Sequence, residues 1–188
     1  RNSSKDWYVQ IGNINDISLG RFLKLNSNTT INFASDVFAA SADTSTVLNT
    51  KGDTATNGSG DTYIAYCWTS IPGYSKFGSY KGNGNADGSY VELGFRPAWL
   101  MIKNTATSTW WFIYDVKRET YNPMYNIFGS NVADAEYYDN AYKIDILSNG
   151  FKARGTQPEI NKSGDPMIYM AFAEQPNPTP FDTSPNAR

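Results

Sequence analysis

The side chains able to do chemistry are few, and their types narrow the function at once. The chain has no histidine and one cysteine, Cys67, in 188 residues. Without imidazole there is no Ser-His-Asp or Cys-His nucleophile system, no imidazole-based zinc site and no ordinary near-neutral proton shuttle. A single thiol closes no intrachain disulfide and carries no inference about redox compartment. Set within the apolar run Tyr63–Trp68, it reads as an inert, buried thiol. Acid–base catalysis then falls to carboxylates. Asp134 and Glu136 are two apart, hence on one face if extended, with Asp139 close by, and glycoside cleavage uses two such groups roughly 5 to 10 Å apart. A solvated acidic loop explains them as well, and no catalytic residue is assigned. Asp61, Asp87, Asp134 and Asp139 are hard-oxygen candidates for calcium, but no EF-hand or Gly-rich nonapeptide spacing accompanies them. The expectation is no enzyme, no cofactor and no metal, with a loop calcium as the alternative. Gly82-Asn-Gly-Asn-Ala-Asp-Gly88 is glycine-rich, yet no Lys-Ser/Thr pair or helix follows, so it is a turn and not a phosphate cradle.

Aromatic residues are the richer signal. Trp110 and Trp111 are adjacent, so a strand points them to opposite faces, one into a core and one toward a surface. Tyr121, Tyr125, Tyr137 and Tyr138 fall in residues 118–140, which show no periodicity and read as a long loop. Trp110, Tyr121, Tyr125, Tyr137 and Tyr138 are therefore the candidate interface or glycan contacts. A flat apolar ring with a hydroxyl handle suits sugars and protein partners alike, and local packing under the loop is the competing account. Arg96, between Phe95 and Pro97, reads as a structural donor to loop carbonyls.

The elements that must position these groups are strands. Asn, Ser, Thr, Gly and Asp make up 80 of the 188 residues against 5 Glu, and aromatics reach 15%. Turn formers and β-formers dominate while helix formers are scarce. This predicts an all-β chain, an antiparallel β-sandwich of lectin-like or jelly-roll type. Strands are expected over Asp6–Ile11, Ile17–Leu25, Thr29–Phe33, Thr62–Thr69, Tyr74–Tyr80, Tyr90–Gly94, Ala98–Lys103, Trp110–Tyr114, Tyr142–Leu147, Phe151–Arg154 and Met167–Phe172. Tyr63–Trp68 and Ile168–Phe172 are expected to be central and buried. Lys and Arg number 16 against 18 Asp and Glu, a net charge of −2. That leaves no basic excess for nucleic acid. The longest apolar runs are about five residues, so no membrane insertion is expected.

Three segments emerge along the chain: an N-terminal β segment 1–56, a main sandwich unit 57–174, and an extended, proline-rich tail or linker 175–188. The chain opens on Arg1 and not Met, as a fragment or a processed chain does. Asn57-Gly-Ser-Gly-Asp-Thr-Tyr-Ile-Ala-Tyr-Cys-Trp68 aligns without gaps on Asn161-Lys-Ser-Gly-Asp-Pro-Met-Ile-Tyr-Met-Ala-Phe172, each a Ser-Gly-Asp turn feeding an aromatic-rich strand. Either two strands share one local solution, or residues 1–56 are the remnant of a preceding repeat and part of the same sandwich.

Several of these words also carry a resemblance. Tyr63–Trp68, Pro72–Tyr80, Gly82-Asn-Gly84, Gly94–Lys103, Tyr121-Asn-Pro123, Ile144–Phe151 and Ile168–Glu174 resemble a β-rich domain found in virion proteins of marine tailed bacteriophages, in tail-fibre-like and other structural proteins beside lectin-like sandwich domains. The resemblance covers roughly residues 57–174 and is weak over the first 56. It implies a β-sandwich on a virus particle, with other virion subunits as partners, and it transfers no catalytic or binding residue. Two functions follow as expectations: a structural module of fibre, tail or capsid decoration working as a homo-oligomer, or a module that recognises a host-surface glycan.

Overall fold

Short β-branched and aromatic runs, separated by Gly- and Asn-rich turns, satisfy their backbone groups most simply by pairing with their chain neighbours. The computed structural model describes residues 5–10, 21–34, 36–38, 44 and 46–174, and the predicted 175–188 tail and the start of the Ile17–Leu25 strand lie outside them. In chain order the elements are β1 (Tyr8–Gln10), β2 (Arg21–Lys24), β3 (Asn32–Phe33), α1 (Thr54–Asn57), β4 (Ser75–Lys81), β5 (Tyr90–Glu92), β6 (Trp99–Asn104), β7 (Phe112–Asp115), β8 (Asn126–Gly129) and β9 (Tyr137–Tyr138). A short 3-10 turn (Asn140–Tyr142) leads into β10 (Ile144–Leu147), β11 (Gly150–Ala153), α2 (Pro158–Asn161) and β12 (Pro166–Phe172).

These strands form three antiparallel sheets, ordered β1-β2-β3, β10-β11-β5 and β4-β12-β6-β7-β8-β9. The chain is an all-β, antiparallel sandwich. Strand β12 lies inside the large sheet, one strand from its edge, with Met170 opposite Phe77 on one side and Met101 on the other. Side chains alternate across its pleat. Met167, Tyr169 and Ala171 join Leu100, Ile102, Phe112 and Tyr114 on the inner face, against Val91, Ile144, Ile146 and Phe151 of the β10-β11-β5 sheet. Gly150 begins β11 because a Cβ there would lie 2.0 Å from the Val91 carbonyl oxygen on β5.

The opposite face of the large sheet is covered by the N-terminal sheet. Leu23 of β2 seats on Trp111 and Ile168, flanked by Val9, Leu25, Ile31 and Met101. The Trp111 indole donates to the Lys24 carbonyl at 3.1 Å, and backbone bonds from Ile31 to Thr105 and from Thr109 to Asn28 fasten the two sheets.

Two expectations fail here. Residues 118–140 are not a long loop: they supply β8, β9 and the outer edge of the large sheet. Polar residues break the periodicity because β8 and the edge strand β9 are short and present little face to bury. Thr62–Thr69, predicted central and buried, forms no strand and is exposed along its whole length, Cys67 included. The slot its sequence suits, between β4 and β6, is filled by β12. The predicted echo nevertheless appears as local geometry. Helical turns α1 and α2 each lead through a glycine at positive φ, Gly60 at 78° and Gly164 at 80°, to an aspartate and an extended run.

Candidate interaction surface

The exposed run 62–69 is placed by its two ends. At its start, Tyr63 Oη accepts from Gly58 N at 2.7 Å and donates to the Thr54 carbonyl at 2.8 Å, tying the run to α1. Helix α1 is itself capped by Asp53, whose carboxylate accepts from Ala55 N at 2.6 Å. At its end, Ile71 pairs with Ser75, with backbone bonds of 3.0 and 2.9 Å in the two directions. The Ser75 hydroxyl donates to Thr69 O at 2.8 Å, and Ser70 Oγ accepts from Phe77 N at 3.3 Å. These hydroxyls occupy the positions where the next ladder bonds would form, so pairing with β4 stops there.

Between these ends Tyr66 stacks on Trp68 with centroids 6.1 Å apart and leans toward Trp7 at 6.3 Å. Trp7 is held from behind. Its backbone N–H donates to Asn26 Oδ1 at 3.0 Å, Asn26 Nδ2 donates to Asp6 at 3.0 Å, and Lys24 pairs with Asp6 at 2.7 Å. The bond from Lys24 holds the Asp6 carboxyl below its usual range, and Asp6 in turn raises the Lys24 ammonium. Trp7, Leu25, Asn26, Tyr66 and Ser130 line an open cleft of about 410 Å³. Ile64, Tyr66 and Trp68 are 59%, 60% and 57% exposed, which makes Trp7-Tyr66-Trp68 a ridge of rings standing in water.

The predicted site residues lie elsewhere and come together only in part. Tyr125 and Tyr138 pair at 4.9 Å, with Tyr138 largely exposed, and Tyr121 is 84% exposed in the segment before β8. Tyr137 is in β9, opposite Ile127. Trp110 is half-buried, edge-on to Phe112 at 6.2 Å, and Trp111 is the buried member of the pair, so neither is a free surface tryptophan. Arg96 is exposed and lines an open cleft with Pro97, Lys117 and Glu174; among the described residues it donates to no loop carbonyl, contrary to what its setting suggested.

Of the carboxylates proposed for chemistry, Asp134 is exposed and the other four are engaged individually. Glu136 pairs with Arg118 at 2.8 Å, Asp139 caps the 3-10 turn through Ala141 N at 2.8 Å, Asp87 pairs with Lys152, and Asp61 meets Tyr63 Oη at 3.3 Å. Among the described residues no group of three or more His, Cys, Asp or Glu is placed to hold a metal, and no helix is long and apolar enough to cross a membrane. The Gly82–Gly88 turn is clamped instead by the buried Asn161. Its Oδ1 accepts from Asn83 N at 2.9 Å, and its Nδ2 donates to Asn85 O at 2.8 Å and Gly155 O at 3.0 Å.

A family model described as a domain of unknown function, DUF7483, matches residues 1–176. The chain belongs to that family. The match takes in the first 56 residues with the rest, where the sequence words alone gave only a weak likeness. Neither a search of curated proteins nor one of solved structures returns a match. In this DUF7483 chain the Trp7-Tyr66-Trp68 ridge was missed because an uncharged aromatic run reads as core. No local signal marks the run as exposed: Thr62–Thr69 is apolar on both alternating faces, as a buried strand is.

Proposed function

We propose that the chain is a non-enzymatic structural module of a tailed-phage virion, a fibre, tail or decoration subunit that works through contacts with other subunits. The observation that carries this reading is the exposed run Ile64–Trp68 with Trp7 beside it. The chain already closes a full core around β12, so these rings are not left over from incomplete folding. A contiguous aromatic surface in water is the signature of a protein contact. The resemblance of residues 57–174 to marine phage virion domains supplies the setting.

An antibody raised against the purified chain is expected to label particles of the phage that encodes it. Absence of the chain from intact and disassembled particles alike overturns the virion role. A second reading, glycan recognition, is favoured by the Tyr125–Tyr138 pair, whose exposed ring offers the flat face a sugar stacks on. Glycan-array binding that is lost in a Tyr138→Ala variant is its expected outcome, and a blank array removes it.

A further inference from the structure

The ridge and the cleft beside it make one uncharged surface, with a projecting ring and a hollow side by side. Trp7, Leu25, Asn26, Tyr66 and Ser130 line the cleft, and Trp68 stands at the far end of the ring row, stacked on Tyr66 and 57% exposed. The run that carries these rings is fixed before any partner arrives. Tyr63 Oη ties its start to α1, and the Ser75 hydroxyl holds the Thr69 carbonyl one residue after Trp68. The Trp68 indole N–H has no hydrogen-bond partner among the described residues, and a tryptophan taken out of water needs an acceptor for it. Two acceptors stand in the cleft: Asn26 Oδ1, which accepts one bond, from Trp7 N, and the Ser130 hydroxyl.

Building on the subunit-contact reading, we infer that the occupant of this surface is a second copy of the chain: the Trp68 ring of each molecule enters the Trp7–Leu25–Tyr66 cleft of the other about a two-fold axis. An isologous contact needs a knob and a hollow on the same patch. The ring row supplies both, on either side of Tyr66, which lies nearest the axis. Charge selects the same occupant. A two-fold axis sets residues near it against their own counterparts, so a charged patch would repel itself. Residues 62–75 include no Asp, Glu, Lys or Arg, and the cleft residues are uncharged. Asp6 and Lys24, behind Trp7, neutralise each other in their ion pair. An acidic or basic partner would find no counter-charge here. Trp7, Ile64, Tyr66 and Trp68 are each more than half exposed. Three rings that bury about 150–250 Å² each when enclosed bring roughly 300 Å² per copy into the contact. That is the scale of a weak, reversible association and not of an obligate dimer. Tying both ends of the run lowers the ordering cost that so small an area must offset.

Sedimentation of the full chain across a concentration series is expected to show monomer passing reversibly to dimer, with acrylamide quenching of tryptophan emission falling in step. Trp68→Ala removes the knob and Ser130→Arg fills the cleft, both at exposed positions. Each variant alone should stay monomeric over the range in which the parent dimerises. Mixed one to one they should associate, more weakly than the parent, because Trp68 of one meets the open cleft of the other at one of the two contacts. A Trp68→Ala variant that dimerises as well as the parent overturns this contact and leaves the subunit reading standing on another surface. A parent that is monomeric throughout overturns any self-contact, whereas the subunit reading itself falls only if the chain is absent from particles. If Ser130→Arg fails to fold, the Trp68→Ala mass and its quenching still decide.

Discussion

Single residues separate the chain's structural chemistry from its surface. Lys103 is fully buried, and its ammonium donates to the carbonyls of Asn104 at 2.8 Å and Thr109 at 2.9 Å, pinning the 104–109 turn that the N-terminal sheet rests on. Burial holds its pKa down to about 8, from an ordinary 10.5. Between these values the unfolded chain binds the extra proton, so Lys103's contribution to stability grows as pH rises from about 8 to 10.5 and is flat below. Urea unfolding of the parent against Lys103→Met should show a gap that widens over that window, by no more than about 1.4 kcal/mol per pH unit. A gap that narrows there would mean the fold favours the charged form. The tryptophans give a second contrast. Trp111→Ala should cost about 3–5 kcal/mol as a buried aromatic. Trp68→Ala should stay within about 0.5 kcal/mol of the parent, as an exposed side chain does. Equal losses in denaturant midpoint would return Trp68 to the core.

At the scale of elements, most strands were legible because their runs alternate cleanly or carry a turn signal. Trp99–Asn104 and Phe112–Asp115 flank a polar turn, and Ile144–Leu147 meets Gly150–Ala153 across Ser148-Asn149. What was not legible is which of two similar strands takes the central slot. Tyr63–Trp68 and Met167–Phe172 have equal local claims, and the choice rests on long-range pairing with β6, which no local pattern records. The short strands β8 and β9 were hidden for the opposite reason: with only two to four residues each, they leave too short a pattern to read. Of the five aromatics singled out, the Tyr125–Tyr138 pair is the part that assembled, because both lie on the β8–β9 hairpin. The N-terminal sheet was read as three strands without a place, and its place depends on Leu23. Leu23→Ala should cost about 2–5 kcal/mol and release this layer first. Amide exchange should accelerate in β1–β3 while β12 stays protected; uniform acceleration would mean that all three sheets unfold as one unit.

The whole molecule is a sandwich whose core closes without the exposed run 62–69. The core around β12 stands without residues 62–69, and the proposed subunit contact gives their aromatic content a role. Amide hydrogen exchange of Ile64–Trp68 in the full chain, followed from dilute to concentrated solution, tests this most directly. Fast exchange when dilute, with protection appearing at Ile64–Trp68 as concentration rises, is the predicted result. Slow exchange of Ile64–Trp68 in the dilute chain would place the run in its own core, and fast exchange at every concentration would leave it without a partner; either contradicts a subunit contact through this run.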